Sequence, residues 1–233
     1  MGEGVDHVAV GQRVAFLCER AFTDAVTVPA DDVVPFSFPG PFPGEALACA
    51  FNAVRRADIR PGQTVAVVGI GFLGAVIAAR AAHAGAHVVA VSRRRFSLEV
   101  AEAMGAAEVV GLGEPIPPCD VAVEAVGLQE PLDLASGCLR EGGRLVIAGF
   151  HQDGLRSVDL CAWNWKGLDI VNAHERDRRV VLQGIHDAAG AIARGELDPR
   201  PLYTHDVALD RLGDAMDLVV ERPDGFLKAL VRT

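Results

Sequence analysis

Positive charge is scarce in this 233-residue sequence, which has 22 Lys and Arg against 31 Asp and Glu and a formal net charge of −9. An acidic surface repels phosphate groups, which argues against a general nucleic-acid binder and against a protein that binds anionic membranes. Charged residues make up only 23% of the chain, whereas apolar residues make up 50%. That composition excludes a disordered chain, and the length suits one large domain or two small ones.

Cysteine is also scarce, and no two cysteines lie two or three residues apart, as a disulfide framework or a compact zinc knuckle would require. The five positions are Cys18, Cys49, Cys119, Cys138 and Cys161. We therefore expect reduced thiols in a reducing compartment.

Long apolar runs are absent as well. The longest uncharged run, residues 63–79, contains three glycines and follows a Pro-Gly turn. It predicts a buried strand, loop and helix rather than a membrane span. The first residues have no basic region followed by an apolar stretch, so we expect no signal peptide and a cytoplasmic location.

From residue 64 onward, apolar runs alternate with helical segments. The runs cover 64–68, 87–91, 108–111, 121–125, 144–148 and 168–171. Short β-branched runs without strict alternation are typical of parallel strands that are buried on both faces. The pattern predicts an α/β fold with a doubly wound, parallel, six-stranded Rossmann sheet over residues 55–174.

The flanking segments, residues 1–54 and 175–233, are expected to pack together as a smaller β-rich domain. The first is Pro-rich, with strand-like pieces at 13–17 and 25–28 and a helix at 45–57. The second predicts a helix at about 179–194, a closing strand at 226–231 and, between them, an amphipathic helix. The apolar face of that helix comprises Leu212, Ala215, Met216 and Val219.

A glycine-rich loop follows the first predicted strand of the sheet, in the order Gly69-Ile-Gly71-Phe72-Leu73-Gly74. Gly69 allows a tight turn, the missing Cβ of Gly71 lets a pyrophosphate approach the backbone, and Gly74 lets helix and strand pack closely. The helix N-terminus at Phe72 and Leu73 offers backbone N–H groups to the phosphates. Strand, motif and helix occur in the required order, so we predict a dinucleotide-binding loop.

The end of the second strand selects the cofactor. Proteins that bind NAD place Asp or Glu there, but this sequence has Ser92, Arg93 and Arg94. Ser92 can donate a hydrogen bond to a 2′-phosphate, and the arginine that follows can bind it with two charge-assisted hydrogen bonds. The sequence therefore predicts NADP(H) rather than NAD(H).

Several short motifs resemble, in the same order along the chain, the medium-chain dehydrogenase/reductase superfamily of alcohol-dehydrogenase-like enzymes. They are V-G-Q-R-V at 10–14, P-G-Q-T-V at 61–65, the glycine loop, M-G-A at 104–106, R-E-G-G-R-L-V at 140–146 with Gly149, and Lys228 in the last strand. The resemblance implies a Rossmann domain inserted in a GroES-like catalytic domain. It also implies that the catalytic domain is truncated at its N-terminus.

The resemblance further implies a departure at the metal site. In the family a Cys and a His-Glu pair upstream of the 10–14 motif hold a catalytic zinc, and this sequence begins just before that motif. Glu45 resembles the remaining ligand position, and one carboxylate does not hold a catalytic zinc. The family's four structural-zinc cysteines are missing too, so we expect no metal.

Many members of the family dimerise through their sixth strands. Residues 168–172 could pair in that way here, so a homodimer is expected.

The loops after the fourth, fifth and sixth strands lie at the carboxyl edge of such a sheet, beside the nicotinamide. We expect the cofactor to contact Ala125 and Val126 in the first loop and Gly149 and Phe150 in the second.

Without zinc, side chains must polarise the substrate and supply a proton. His151 and His174 are the candidates for acid and base, because imidazole titrates near neutral pH. Glu45 could orient a histidine or act as an acid itself, or it could simply favour a helix N-terminus. Cys49, one turn from Glu45, and Tyr203, Trp163 and Trp165 are expected to serve packing rather than chemistry.

The leading hypothesis is a zinc-independent, NADPH-dependent reductase of a C=O, C=N or activated C=C bond in a small organic molecule, such as a specialised metabolite. An enzyme without net redox change (an epimerase, cyclase or lyase) stays open. So does a non-catalytic regulatory protein that binds NADP(H).

Overall fold

A computed structural model of the chain describes residues 2–232 and divides them into two compact units. The sheet unit runs from Ala50 to Glu175. The flanking unit combines the residues up to Cys49 with those from Arg176 onward. The sequence predicted the changes between domains at 54/55 and 174/175, whereas the units divide at 49/50 and 175/176.

Strands and helices alternate along most of the described chain. The strands are β1 (Val14–Phe16), β2 (Val33–Pro35), β3 (Thr64–Val68), β4 (His87–Ser92), β5 (Glu108–Gly111), β6 (Cys119–Glu124), β7 (Leu139–Ile147), β8 (Asp169–Asn172), β9 (His205–Ala208) and β10 (Ala229–Arg232). The helices are α1 (Gly44–Ala57), α2 (Phe72–His83), α3 (Arg95–Ala103), α4 (Gln129–Gly137), α5 (Leu160–Lys166), α6 (Arg178–Ala193) and α7 (Leu212–Glu221). None of these helices has the length and apolar content needed to cross a membrane.

The sheet unit contains one parallel sheet with the strand order β5-β4-β3-β6-β7-β8. The order reverses between β3 and β6, as in a doubly wound dinucleotide-binding sheet, and the predicted six-stranded Rossmann fold is confirmed. Val65, Ala66 and Val67 of the central strand are all fully buried. Helices cover both faces of the sheet, which explains why its strands are apolar at consecutive positions.

Two sheet strands begin earlier than the sequence suggested. β6 starts at Cys119 rather than 121, and β7 starts at Leu139 rather than 144. The pairing between them shifts register between Cys119 and Val121, which accommodates the extra residues of β7. That stretch carries Glu141, Gly142 and Gly143, so hydrophobicity gave no sign of a strand.

The flanking unit contains two small sheets. β1 and β2 form an antiparallel pair, and β9 and β10 form a parallel pair. The core of this unit includes Ala15, Val34, Ala48 and Ile185. It therefore joins α1 and α6 to the β1–β2 pair.

Two predictions for the flanking segments need correction. The predicted strand at 25–28 is wrong: those residues form no strand, and Val26 is 38% exposed. β-Branched residues make a strand only where a neighbouring strand or a core can pack against them. The amphipathic helix α7 is present, but of its predicted apolar face Ala215 is buried, whereas Met216 and Val219 remain about half exposed.

Candidate functional site

The glycine loop joins the end of β3 to the start of α2 at the carboxyl edge of the sheet. Gly69 has a φ of +99°, and a Cβ built there would lie 2.2 Å from Cγ2 of Val126. A Cβ on Gly74 would lie 1.9 Å from the Gly69 carbonyl oxygen. Any side chain at either position would therefore force the turn or the helix to move.

Gly71 differs from these two glycines, because a Cβ built on it would meet no atom within 4 Å. The residue caps α2 in an extended conformation, and no side chain caps the helix. The first turn of a helix has backbone N–H groups without intrahelical partners, and its dipole favours negative charge. We call this open space beside Gly71, at the N-terminus of α2, the cradle; it leaves room for phosphate groups to approach the backbone.

The end of β4 lies beside this cradle, because the Gly69 N–H donates a hydrogen bond of 2.8 Å to the Val91 carbonyl. Ser92 ends the strand, and its Oγ accepts a bond of 3.2 Å from the backbone N–H of Arg94. Arg93 is exposed. Arg95 instead pairs with Glu99, with 3.0 Å between Nε and Oε1.

A buried carboxylate connects the next two loops. Glu124, the last residue of β6, is fully buried, and its Oε1 accepts hydrogen bonds of 2.7 Å from the backbone N–H groups of both Val126 and Gly127. Its Oε2 lies 3.0 Å from Nε2 of His151. The Glu124 side chain is thus hydrogen-bonded to both the turn after β6 and the turn after β7.

Arg156 completes this network. Its Nε donates to Nδ1 of His151 over 3.0 Å, and its guanidinium also bonds the Gly127 carbonyl at 2.7 Å. Asp153 forms a further ion pair with Arg156, which holds the pKa of that carboxyl below its usual value. Both ring nitrogens of His151 are therefore hydrogen-bonded.

His174 has a different environment. It is exposed, and its ring stacks beside that of Phe150, with 6.3 Å between centroids and 28° between planes. The Asn172 side chain accepts a bond of 3.0 Å from the backbone N–H of His174, which fixes the turn after β8. Phe150 is itself 70% exposed. The histidine imidazole is thus accessible at the same edge as the loops that follow β6 and β7.

Glu45 belongs to the flanking unit, where Cys49 Sγ donates to its Oε1 over 3.4 Å. The two residues, one helical turn apart, thus lie on one face of α1. The protein atoms packed around the thiol, and then the charge of Glu45, raise the pKa of Cys49 to about 12. Burial lowers the pKa of Lys228, and the nearby charge of Glu45 opposes that shift.

This donor set does not suit zinc, because one carboxylate and one thiol beside the ammonium group of Lys228 give too few ligands and an unfavourable charge. Within residues 2–232, no three His, Cys, Asp or Glu side chains form a group that could hold a metal ion.

Tyr203, Trp163 and Trp165, which were expected to serve packing, lie in different environments. Burial raises the pKa of Tyr203. Trp163 packs against the core of the sheet unit, whereas Trp165 is 84% exposed.

Glu124 and Arg156 were not among the residues predicted from the sequence. Glu124 ends an otherwise apolar run, V-A-V-E, and a charge at the carboxyl end of a buried strand was an available signal. Arg156 carried no such signal, since nothing near it in the sequence indicates a partner.

No family model matches the chain, but individual proteins do. It is 27% identical over 200 residues to sorbitol dehydrogenase of Bacillus subtilis, covering 80% of this chain and 55% of the relative. It is 30% identical over 226 residues to L-threonine 3-dehydrogenase of Edwardsiella ictaluri, covering 86% of this chain and 62% of the relative. The chain thus spans little more than half the length of these curated relatives.

Solved structures share the fold. A zinc-binding dehydrogenase from Sinorhizobium meliloti, described as putative and solved bound to NADP, superposes with a TM-score of 0.84 at 22% identity. The match covers all of this chain and 80% of the other. These similarities, together with the six-stranded sheet and its glycine loop, confirm the resemblance seen in the sequence motifs. The chain belongs to the alcohol-dehydrogenase-like medium-chain dehydrogenase/reductase superfamily.

Proposed function

We propose that this protein is an NADP(H)-dependent oxidoreductase that reduces a C=O, C=N or activated C=C bond of a small organic molecule. The observation that carries the proposal is the cradle at Gly71, which opens at a helix N-terminus where the order of the strands reverses. The names of the relatives, among them sorbitol, alcohol and L-threonine dehydrogenases, support hydride exchange between an alcohol and a carbonyl.

The phosphates are held by the first turn of α2, at Leu73 and Gly74. Preference for the 2′-phosphate comes from Ser92, Arg93 and Arg94 at the end of β4. An exposed guanidinium such as that of Arg93 binds a phosphate bidentately, whereas the carboxylate that suits NAD would repel it.

The nicotinamide, when bound, supplies or accepts the hydride. The turns at Ala125 and Val126 and at Gly149 and Phe150 flank the position that it takes in a doubly wound fold. Val126, which is 37% exposed, and Phe150 present apolar surface there.

The proton for the reduced substrate comes from His174. Its ring is exposed beside Phe150, so a substrate lying against Phe150 can reach the imidazole. His151, the other candidate, would have to give up its bond to Glu124 or to Arg156 before it could donate. Glu45 remains a proposed site residue of the flanking unit, and Cys49 donates a hydrogen bond to its carboxylate.

We also propose that the reaction needs no zinc, because the side chains around Glu45 provide too few zinc ligands. Metal analysis of the purified protein should then give far less than one zinc per chain, and a value near one would overturn this part of the proposal.

The protein is proposed to act in the cytoplasm as a homodimer. β8 lies at the edge of the sheet, where its outer row of backbone groups can pair with a second copy.

Calorimetric titration with NADPH and NADH tests the proposal, followed by a panel of aldehydes, ketones, imines and enones with NADPH consumption as the readout. Binding of NADPH and its consumption with one substrate class are expected. Substrate conversion without NADPH consumption would identify the alternative without net redox change. Binding without any conversion would identify the regulatory alternative, and absence of binding to either coenzyme would refute the proposal.

A further inference from the structure

The network around Glu124 closes on itself within the sheet unit. From Glu124 it runs through His151 and Arg156 to the Gly127 carbonyl, and the Gly127 N–H returns to Glu124. The Glu124 main-chain carbonyl also accepts bonds of 2.8 Å and 2.9 Å from the N–H groups of Ala148 and Gly149. One buried residue therefore holds the turn after β6 and the turn after β7 together.

The hydrogen bonds fix the protonation of His151. The carboxylate of Glu124 can only accept, so Nε2 of His151 carries the proton of that bond. The guanidinium of Arg156 can only donate, so Nδ1 of His151 accepts through its lone pair. In this arrangement His151 is the neutral tautomer and offers no proton to a substrate.

A fully buried carboxylate is costly unless it is paired or hydrogen-bonded, and Glu124 is hydrogen-bonded to Val126, Gly127 and His151. Arg156 in turn bonds His151 and the Gly127 carbonyl. The Arg156 side chain is 15% exposed, although the neighbouring Leu155 is 99% exposed. The Arg156 guanidinium is thus mostly buried, although the loop that carries it is exposed.

The turns after β6 and after β7 lie beside the part of the site that the glycine loop does not contact. The glycine loop and the end of β4 take the pyrophosphate and the adenosine half of a dinucleotide. β6 and β7 lie on the other side of the point where the strand order reverses, where the nicotinamide half lies.

We propose that Arg156 and His151 are positioning residues that act together with Glu124 to hold the nicotinamide-facing turns. They keep the turns at Val126–Gly127 and Gly149–Phe150 in the positions that the nicotinamide ring requires. The inference rests on the proposed function, and it assigns His151 a role other than the proton donor expected from the sequence.

The test compares two probes: NADPH, and 2′-phospho-ADP-ribose, which lacks only the nicotinamide. Arg156→Met removes both the bond to His151 and the bond to Gly127. It should raise the Kd for NADPH about tenfold, while the Kd for 2′-phospho-ADP-ribose changes less than about twofold. Arg60→Met, which breaks a surface pair with Asp58 in the same unit, should change neither Kd.

His151→Gln provides the rescue experiment, because a Gln amide can donate to Glu124 and accept from Arg156. This variant should keep the wild-type ratio of the two Kd values, whereas His151→Leu should lose NADPH affinity as Arg156→Met does. A His151→Gln variant that loses NADPH affinity as His151→Leu does would overturn the inference.

Equal losses for both probes in Arg156→Met, or no loss for either, would also overturn it. Thermal unfolding of each variant verifies that it is folded, and His151→Gln provides a decisive result even if Arg156→Met does not fold. Failure of coenzyme binding itself has a separate sign: the unmodified protein would then bind neither probe.

Discussion

Arg178 donates a hydrogen bond of 2.6 Å from its Nε to Oδ1 of Asp32, a residue 146 positions earlier in the chain. The same guanidinium bonds the Leu17 carbonyl at 2.9 Å. Because Asp32 adjoins β2 and Arg178 begins α6, the pair ties the two separate segments of the flanking unit to each other.

The Asp32 pair makes this unit sensitive to acid. The hydrogen bond from Arg178 holds the pKa of Asp32 in the folded protein below its usual value. The pair therefore stabilises the fold fully above about pH 4, the ordinary pKa of Asp. This stabilisation is lost as the pH falls through the lower pKa of Asp32 in the folded protein. Asp32→Asn should reduce the free energy of unfolding by about 1 kcal/mol at pH 7 and by less at pH 3. Urea unfolding at both pH values measures the difference.

Asp206→Asn is the matched control, because Asp206 and Arg232 form a pair in which both side chains are 58% exposed. It should cost at most about 0.5 kcal/mol at either pH. If Asp32→Asn cost no more than this control, the pair would not be what joins the segments.

Two glycines of the loop should respond differently to alanine. Gly71→Ala places a methyl group in the open cradle, so it should weaken NADPH binding while changing the free energy of unfolding by less than about 1 kcal/mol. Gly74→Ala should destabilise the fold by roughly 2 kcal/mol or more, because its methyl group would overlap the Gly69 carbonyl. Calorimetric titration and urea unfolding of both variants separate the effects. Unchanged NADPH affinity in Gly71→Ala would show that the phosphates bind elsewhere.

Arg93 should decide between the two coenzymes. Arg93→Asp removes a positive charge and adds a negative one beside the expected 2′-phosphate, so NADPH affinity should fall at least about tenfold more than NADH affinity. Arg95→Asp serves as the control, since Arg95 already pairs with Glu99. Equal losses for both coenzymes in Arg93→Asp would mean that this side chain does not contact the phosphate.

His174 should affect turnover rather than coenzyme binding. With a substrate from the carbonyl, imine and enone panel, His174→Gln should lower kcat about 100-fold and leave the Kd for NADPH within about twofold. His186→Gln alters another exposed histidine, on α6, and should change neither quantity. Full turnover in His174→Gln would remove His174 as the proton donor.

The outer edge of β8 should carry the dimer contact. Ile170 is 42% exposed on this strand, and Ile170→Lys places a charge where a second strand would pair. Light scattering should then report a monomer for this variant and a dimer for the unmodified protein. Val220→Lys, at an 82% exposed position of α7, should remain dimeric. A monomeric unmodified protein would refute the expected assembly.

The sheet could be predicted from the sequence because its physical cause is local. Strands buried on both faces are apolar at consecutive positions, and the run at 65–68 shows this directly. The glycine loop was predictable for the same reason, since a turn with a φ of +99° at Gly69 needs a residue without a Cβ. Glu45 and Cys49 could be placed on one face because they lie one helical turn apart.

The Glu124–Arg156 network could not be predicted, because its causes are not local. His151 meets Glu124 only because β6 and β7 are neighbours with Glu124 opposite Ile147, a register that depends on the irregularity near Cys119. Arg156 meets His151 only because the loop after β7 turns back toward the sheet. Neither contact could be inferred when His151 was named as a candidate acid or base.

The close approach of Gly127 and Gly149 has a practical consequence for redesign. A Cβ on Gly149 would lie 2.2 Å from the Gly127 nitrogen, and a Cβ on Gly127 would lie 2.4 Å from the Phe150 carbonyl oxygen. Neither turn can accept a bulkier residue while the other keeps its path. When this edge of the sheet is transferred to a related scaffold or varied in a library, the turns after β6 and β7 must therefore be changed together as one unit.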